Sequence, residues 1–473
     1  MVKAVLFDDE LREVAVASSI VPVDHLSPRA SEQDMAAVAE AVEDVLRQVV
    51  PADGRCDAVA VTAQGDGCWL VDADGDPAGP ALLWNDARAA GVVAQWEDDG
   101  LLDRAFEVTG SYGNAGLATA ELAWLHTVQD DRLARVARVL SCGSWLFHRL
   151  SGATVLDVSD ACNPFLDAHD DTVAVDLLAD LGLPWVADLL PPVVSGADRV
   201  RPLTAAAAGR TGLRPGTPVV LAPYDVVATA AGVGAVEPGT AMTILGTTLC
   251  VGAPVRGSGL PRPPAGMSLA TGVPGERLLA YATLAGTQVL DRWAVLLGVG
   301  GAADLVALAD TSTRPDVPLL LPYLSPAGER APFRDPAARG ALLGLDLEHS
   351  PADVALGVVQ GLTLAVRDCL TASGAAPESL AVCGGGARSD LWCALLADAL
   401  QAQVSRPAVE QVGALGAVLA ARVALGVEPD LATAVATWTR PGATFEPDPA
   451  AAGRWDGAYA RLLAARAAGA HRA

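Results

Sequence analysis

The chain has 473 residues, 51% of them hydrophobic and only 4% aromatic, and its 32 basic against 56 acidic side chains leave a formal charge of −24. That length predicts two domains with ample core, built mostly from small aliphatic side chains. So acidic a surface repels nucleic acid and anionic membranes, and an anionic substrate would need a locally favourable pocket.

The opening MVKAVLFDDE carries too short an apolar run for a signal peptide, and no apolar run reaches membrane-spanning length without charges or glycines. The eight cysteines form no CxxC pair and sit mostly in apolar contexts, which reads as reduced, structural thiols in a cytoplasm. The six histidines lack metal-ligand spacing. Lys3 is the only lysine, so a P-loop is excluded, as is an internal phosphate-pairing lysine of the protein-kinase kind. Any phosphate handling must rest on backbone amides, hydroxyls, arginines and a metal ion.

In chain order, residues 2–23 alternate as two short antiparallel strands joined near Asp8-Asp9-Glu10. Met35, Val38, Ala41, Val42, Val45, Leu46 and Val49 follow helical spacing, predicting a helix over 31–50 with Ser31 as its N-cap. Residues 56–62 read as a buried strand, and 69–73 and the segment to Trp84 as two more. Helices are predicted over 101–109, 117–129 and 132–150. A Pro/Gly-rich stretch at 191–220 leads into a strand over 218–222. Past Glu237 the pattern starts afresh: strands over 240–245, 278–282 and 319–321, a helix over 351–372, a strand over 379–383, then more helices. The last, over 454–468, is expected to pack back on the first half. Each half opens with strands and ends with helices, placing two domains at 1–236 and 237–473.

Several motifs carry chemistry, each with a plainer alternative. Asp225 follows an apolar run and Pro223-Tyr224, so it is either a helix N-cap or a base at the mouth of an α/β cleft. Gly246-Thr247-Thr248 ends a strand, as an ordinary hairpin turn or as a phosphate-holding turn with free N–H groups and two hydroxyls. Gly384-Gly385-Gly386-Ala387 joins the 379–383 strand to a helix near Ser389, as a flexible turn or as a nucleotide loop, since three glycines let a flat ring or ribose lie against backbone. Trp84-Asn85-Asp86-Ala87-Arg88 suits a polyhydroxylated ligand, or is a surface Asp–Arg pair near a half-buried Trp. Gln64-Gly65-Asp66-Gly67 is a sugar loop or a plain turn. The run from 321 to 345, rich in turns and carrying Arg330, Arg334 and Arg339, reads as a long ordered loop over a cleft.

Taken in order, QGDG, LLWNDARA, LATAELAWLHTVQ, SDACNPFLD, PYDVVATAAGVGAVEPG, ILGTTLCVG, YLSPAGERAPFRDPAARGALLGL, CGGGARSDLW and GALGAVLAA resemble the FGGY family of carbohydrate kinases over nearly the whole chain. The resemblance implies two actin-like (ribonuclease H-like) α/β domains, each a mixed sheet flanked by helices, with the active site in the cleft between them. It implies an ATP- and Mg²⁺-dependent phosphotransferase acting on a primary hydroxyl of a pentulose or a C4–C5 polyol. Asp225 would be the general base, and Gly246, Thr247 and Thr248 the phosphate turn. Gly384, Gly385, Gly386 and Ala387 would form the adenosine loop. Gln64, Asp66, Trp84, Asp86, Arg88 and Tyr224 would contact the sugar. A cytoplasmic protein, with neither nucleic-acid nor membrane partner and with a homodimer as one expected assembly, completes the implication.

Two positions depart from the family pattern. Members normally open with a strand and a D-x-G-T-[TS] turn ahead of the segment matching VKAVLFD, and that turn is missing here. A gene start placed too late would explain this; a real truncation would instead give a catalytically impaired protein that binds nucleotide or sugar. Glu121 stands where the family signature usually has lysine, at a position read as structural. The Gly65-Asp66 pair, where xylulose kinases typically carry Met-His, resembles branches acting on erythritol, L-xylulose and related substrates.

Overall fold

The computed structural model describes residues 1–257 and 264–472. Val2–Phe7 (β1) and Glu13–Ser19 (β2) pair antiparallel, and the Asp8 carboxylate fastens the turn by accepting the N–H groups of Glu10 and Arg12. Helix Met35–Val49 (α1) lays Val45 and Val49 against Ala4 and Ala17 of this hairpin, the one-face contact that i, i+4 spacing produces. Asp34 caps α1 by accepting the Ala36 and Ala37 N–H groups; the expected cap, Ser31, lies outside the helix and donates its N–H to Asp86 instead.

Val59–Val61 (β3), Val200–Pro202 (β4) and Pro218–Leu221 (β5) form a sheet in the order β4-β5-β3, with β5 parallel to β3 and antiparallel to β4. The strand expected over 56–62 is thus shorter, and it is only partly buried. A second sheet orders Glu32–Gln33, Ala81–Leu83, Gly67–Val71 and Arg138–Leu140. The single helix predicted over 132–150 is three elements: a 3-10 turn at Asp131–Ala134, the strand Arg138–Leu140, and a helix at Cys142–Ser151. Ser141 makes the break, its hydroxyl accepting the Ser144 N–H so that a helix starts anew. Asp225–Val233 (α2) closes this half.

In the C-terminal half, Thr240–Leu245 (β6), Leu249–Arg256 (β7), Met267–Ala270 (β8) and Glu276–Ala282 (β9) precede Thr287–Leu297 (α3) and Pro351–Ala372 (α4). Ser379–Cys383 (β10), Asp390–Leu400 (α5), Gln403–Pro407 (β11), Val412–Ala424 (α6), Pro441–Phe445 (β12) and Ala452–Ala467 (α7) complete it. The seven strands lie in the order β8-β9-β7-β6-β10-β11-β12. α4 begins with a capping box between Ser350 and Asp353 and with Pro351 in its first turn. It is apolar and long enough to cross a membrane, but 83% of its most apolar stretch is buried in this core. α7 places Trp455, Ala458 and Leu462 in that same core, so it packs on the second half and not, as expected, on the first.

The N-terminal hairpin and three-stranded sheet match five of the seven strands of the C-terminal sheet. β2-β1 corresponds to β9-β7, both antiparallel, and β3-β5-β4 to β10-β11-β12, each parallel then antiparallel. Among the described residues, no strand between β1 and β3 corresponds to β6. The β1–β2 hairpin is held instead from the other half: Lys3 Nζ donates to Gln411 Oε1 at 2.6 Å, the Gln411 N–H to Glu13 Oε1 at 2.9 Å, and Leu11 packs with Leu415 and Leu419. Beneath the cleft, α2 and α6 cross so closely that a Cβ on Gly232 would lie 1.8 Å from Val412 O, and one on Gly416 1.7 Å from Ala228 O.

Candidate active site

Asp225 is the first residue of α2, and Tyr224 takes the N-cap position that the plainer reading gave to the aspartate. Its N–H donates to Ala63 O at 3.1 Å, which ties the helix start to the chain just beyond β3, beside half-buried Gln64. Burial lifts the carboxyl to about 7; the Val226 N–H pulls it down and the charge of Asp66 pushes it up. Asp66 is itself lifted by burial to about 6, against the charge of Arg330 and a 3.0 Å hydrogen bond donated by Asn163 Nδ2. The Tyr224 ring lies directly on Gly65, where a Cβ would fall 2.4 Å from it, so the glycine of QGDG makes room for the tyrosine. A cavity of about 20 Å³ joins Asp66 to Asn163 and to Asp160, a carboxyl pushed well up by burial and then by the charge of neighbouring Asp157.

Asp86 and Arg88 stand apart from a surface pair. Asp86 is 2% exposed. It accepts the Ser31 and Arg88 N–H groups and forms an ion pair with the Arg88 guanidinium at 2.8 Å, which also reaches Glu32 at 2.8 Å and lies 4.5 Å over the Trp124 ring. Trp84 is 41% exposed, unlike buried Asp86 beside it. Glu121 is buried beside the network, its carboxyl pushed well up by burial and then by the charges of Asp86 and Asp66.

On the opposite wall, Gly246, Thr247 and Thr248 form the β6–β7 hairpin turn, with Thr247 exposed. The N-terminus of α3 is set against this turn: Thr287 N–H donates to Gly246 O at 2.8 Å, and a Cβ on Gly286 would lie 2.6 Å from both Gly246 O and Thr248 C. Gly384, at φ +87, leads from β10 into a 3-10 turn over Gly385–Arg388, and a Cβ there would meet Leu245 O at 2.8 Å. Ser389 then caps α5 by accepting the Trp392 N–H. Gly384 to Ala387 therefore lie against the end of the strand that carries the hairpin turn. The two walls are electrostatically joined at Cys250, whose thiol is raised by burial and by Asp225 and lowered by Arg330.

A cavity of about 770 Å³ lies elsewhere, at the beginnings of β6, β10 and β11 beside the β1–β2 turn. Sequence reasoning named Arg330 only as part of a loop and passed over Asn163 and Asp160. All three lie in segments that carried the family resemblance, which was the available signal.

Two halves on one repeated β-frame, one bringing carboxylates to the cleft and the other a Gly-Thr-Thr turn with Thr247 exposed, fit a two-domain phosphotransferase of the actin-like ATPase fold. The profile of the FGGY family of carbohydrate kinases matches residues 1–232 for its N-terminal domain and 241–425 for its C-terminal domain, and the chain belongs to that family. Erythritol kinase of Brucella abortus (strain 2308) is 34% identical, with 99% of this chain and 94% of that protein covered. Xylulose kinase of Escherichia coli (strain K12) is 31% identical, covering 91% and 89%. Among solved structures, the xylulose kinase from Rhodospirillum rubrum superposes with a TM-score of 0.88 at 28% identity, over 98% and 96% of the chains. The ligand-bound xylulose kinase from Lactobacillus acidophilus gives 0.92 at 21% identity over 98% and 95%, a likeness of fold. Kinases of this family take ATP as phosphate donor.

Proposed function

We propose that this kinase transfers the γ-phosphate of ATP to a primary hydroxyl of a C4–C5 polyol or a pentulose, with Asp225 as the general base. The observation that carries this reading is the Asp225 carboxyl, lifted to about 7 and positioned by the start of α2. A base is most effective when its pKa lies near the operating pH. Asp66, Gln64 and Tyr224 supply acceptors and an apolar face for a chain of adjacent hydroxyls. The exposed Trp84 ring suits C–H stacking. Asp86 and Arg88 hold the floor of the site through Glu32 and Trp124. The names of the relatives, erythritol and xylulose kinases, support a substrate of this size.

Gly246, Thr247 and Thr248 would receive the phosphates and Gly384 to Ala387 the adenosine. Among the described residues no cluster of three or more His, Cys, Asp or Glu forms a metal cage. Mg²⁺ would be held mainly by the nucleotide phosphates, with a cleft carboxylate such as Asp66 or Asp225 added. Mg²⁺, when bound, would neutralise phosphate charge.

The test is ADP production with Mg²⁺-ATP over a panel of C3 to C6 polyols and ketoses. Turnover with one C4–C5 member, lost in Asp225→Asn while ATP still binds, is the expected result. Unchanged turnover in Asp225→Asn would refute the role of the base.

A further inference from the structure

Residues 322–340 run along the edge of the C-terminal core, where Tyr323, Ala331 and Ala338 are buried, and reach the N-terminal half through Arg334. On the far side Arg334 pairs with Glu97 and stands 5.8 Å over the Tyr112 ring. On the near side the loop is fastened twice. Glu329 and Asp335 exchange backbone hydrogen bonds at 3.0 and 2.9 Å, and the Asp335 carboxylate is gripped by His471 and Arg472 at 3.0 and 2.6 Å. The Glu329 carboxylate is engaged in turn by the N–H groups of Leu284, Arg330 and Ala331.

Arg330 sits between these anchors. Its Nε donates to Ala282 O at 2.8 Å, and Ala282 is the cross-strand partner of Cys250, which closely follows the Thr248 turn. The guanidinium is thereby pinned at the root of the Gly-Thr-Thr hairpin. Its charge is felt on both walls of the cleft, at Cys250 and at Asp66. The sole lysine, Lys3, is bonded to Gln411 at the β1–β2 hairpin, and Arg88 is committed to Asp86 and Glu32.

We propose that Arg330 is the cation that meets the transferring phosphoryl group. The inference rests on the kinase reading above and names a further catalytic residue for it. In the transfer, the acceptor hydroxyl oxygen forms a bond to Pγ while the bond from Pγ to the β,γ-bridging oxygen breaks. The electron pair of that bond leaves on ADP, and the hydroxyl proton passes to Asp225. Charge builds on the bridging oxygen and spreads over three equatorial oxygens, where such a reaction gains most from a fixed cation. With Nε tied to Ala282, the Nη groups still present the planar fork that fits two phosphate oxygens. In a protein of charge −24 the overall field opposes the negative charge that builds during transfer, so a fixed local cation at that point has the most to contribute.

The experiment compares wild type, Arg330→Met, Arg330→Lys and Arg334→Met on a polyol that wild type phosphorylates, with the melting temperature of each recorded. Arg330→Met should lose about a hundred- to a thousandfold in kcat, while KM for polyol and ATP stays within roughly threefold. Lysine should restore part of the loss. Added guanidinium ion should raise turnover of Arg330→Met with concentration, and should do nothing for Arg334→Met, which breaks only the outer anchor. A kept kcat with a raised polyol KM would make Arg330 a sugar-binding residue and overturn the proposal. An equal, unrescued loss in Arg330→Met and Arg334→Met would make it a strut of the loop, with the same consequence. If wild type phosphorylates nothing in the panel, the kinase reading fails and takes the proposal with it. If wild type turns over and the Arg330 variants match it, only the proposal fails.

Discussion

In the C-terminal half, β6 runs between β7 and β10, and Leu380 and Val382 beside it are fully buried. In the N-terminal half the matching neighbours, β1 and β3, have no strand between them among the described residues, and Val59 and Ala60 of β3 are only partly buried. The halves also furnish the cleft differently. The C-terminal sheet ends in backbone: the Gly246–Thr248 turn and the Gly384–Ala387 turn, both suited to anions and flat rings. The N-terminal half contributes side chains, Asp66 from a loop beyond β3 and Asp225 from a helix start. On the function proposed above, one β-frame built twice would give one wall that accepts charge and one that accepts a proton, the division that phosphoryl transfer to an alcohol requires.

The sharpest way to break that division is to remove the acid alone. Asp225→Asn should lower kcat by about a thousandfold, within the range for loss of a general base, and leave ATP affinity within roughly twofold. Loss of ATP binding in this variant would mean that the two walls are not separable. A smaller effect is expected from the other wall. Gly384→Ala puts a Cβ at 2.8 Å from Leu245 O on a backbone with φ +87. It should raise the KM for ATP about tenfold, a cost of about 1–2 kcal/mol, and spare the KM for the polyol.

The pH dependence distinguishes the walls again. Asp225, near 7, must be ionised to accept a proton, so kcat/KM should rise with pH through about 7 and then level off. Stability runs the other way. Because burial raises this carboxyl above its unfolded value of 3.8, its contribution is full below about 4 and is lost as pH rises through about 7. Asp66, near 6, acts in the same direction. At pH 8, Asp225→Asn should therefore be more stable than wild type by roughly 1–2 kcal/mol, allowing for the part of the group that meets water. Equal melting temperatures at pH 8 would contradict the raised value.

Much of this architecture was legible from residues. β6, β10 and α4 follow from continuous apolar runs closed by glycine or opened by Ser350-Pro351, signals that are local to the chain. The failures share a cause. The 132–150 segment has helix-compatible composition throughout, yet Val139 and Leu140 pair with Trp69 and Leu70, a contact made far away in sequence. α7 was assigned to the wrong half because its Trp455, Ala458 and Leu462 stripe shows that a face is buried but not against what. In the site, Asp225 and the Gly-Thr-Thr turn were visible as motifs. Arg330 was not singled out, because its role depends on Ala282 and Asp66, contributed by two other parts of the chain.

The smallest expected effect tests the comparison of the sheets directly. A strand with neighbours on both edges exchanges its amide hydrogens only when the sheet opens, whereas one with a single neighbour leaves alternate N–H groups unprotected and opens locally at lower free energy. β10 is bonded to β6 and β11; β3 is bonded to β5 alone among the described residues. In hydrogen–deuterium exchange, residues 59–61 should therefore exchange at least about tenfold faster than 380–382. Saturating ATP should narrow the gap little, since by the reading above the nucleotide rests on the C-terminal wall. Equal protection of the two segments would mean that the outer edge of β3 is covered in solution, and the asymmetry between the halves would then be one of the acids and turns they carry, with the sheets themselves alike.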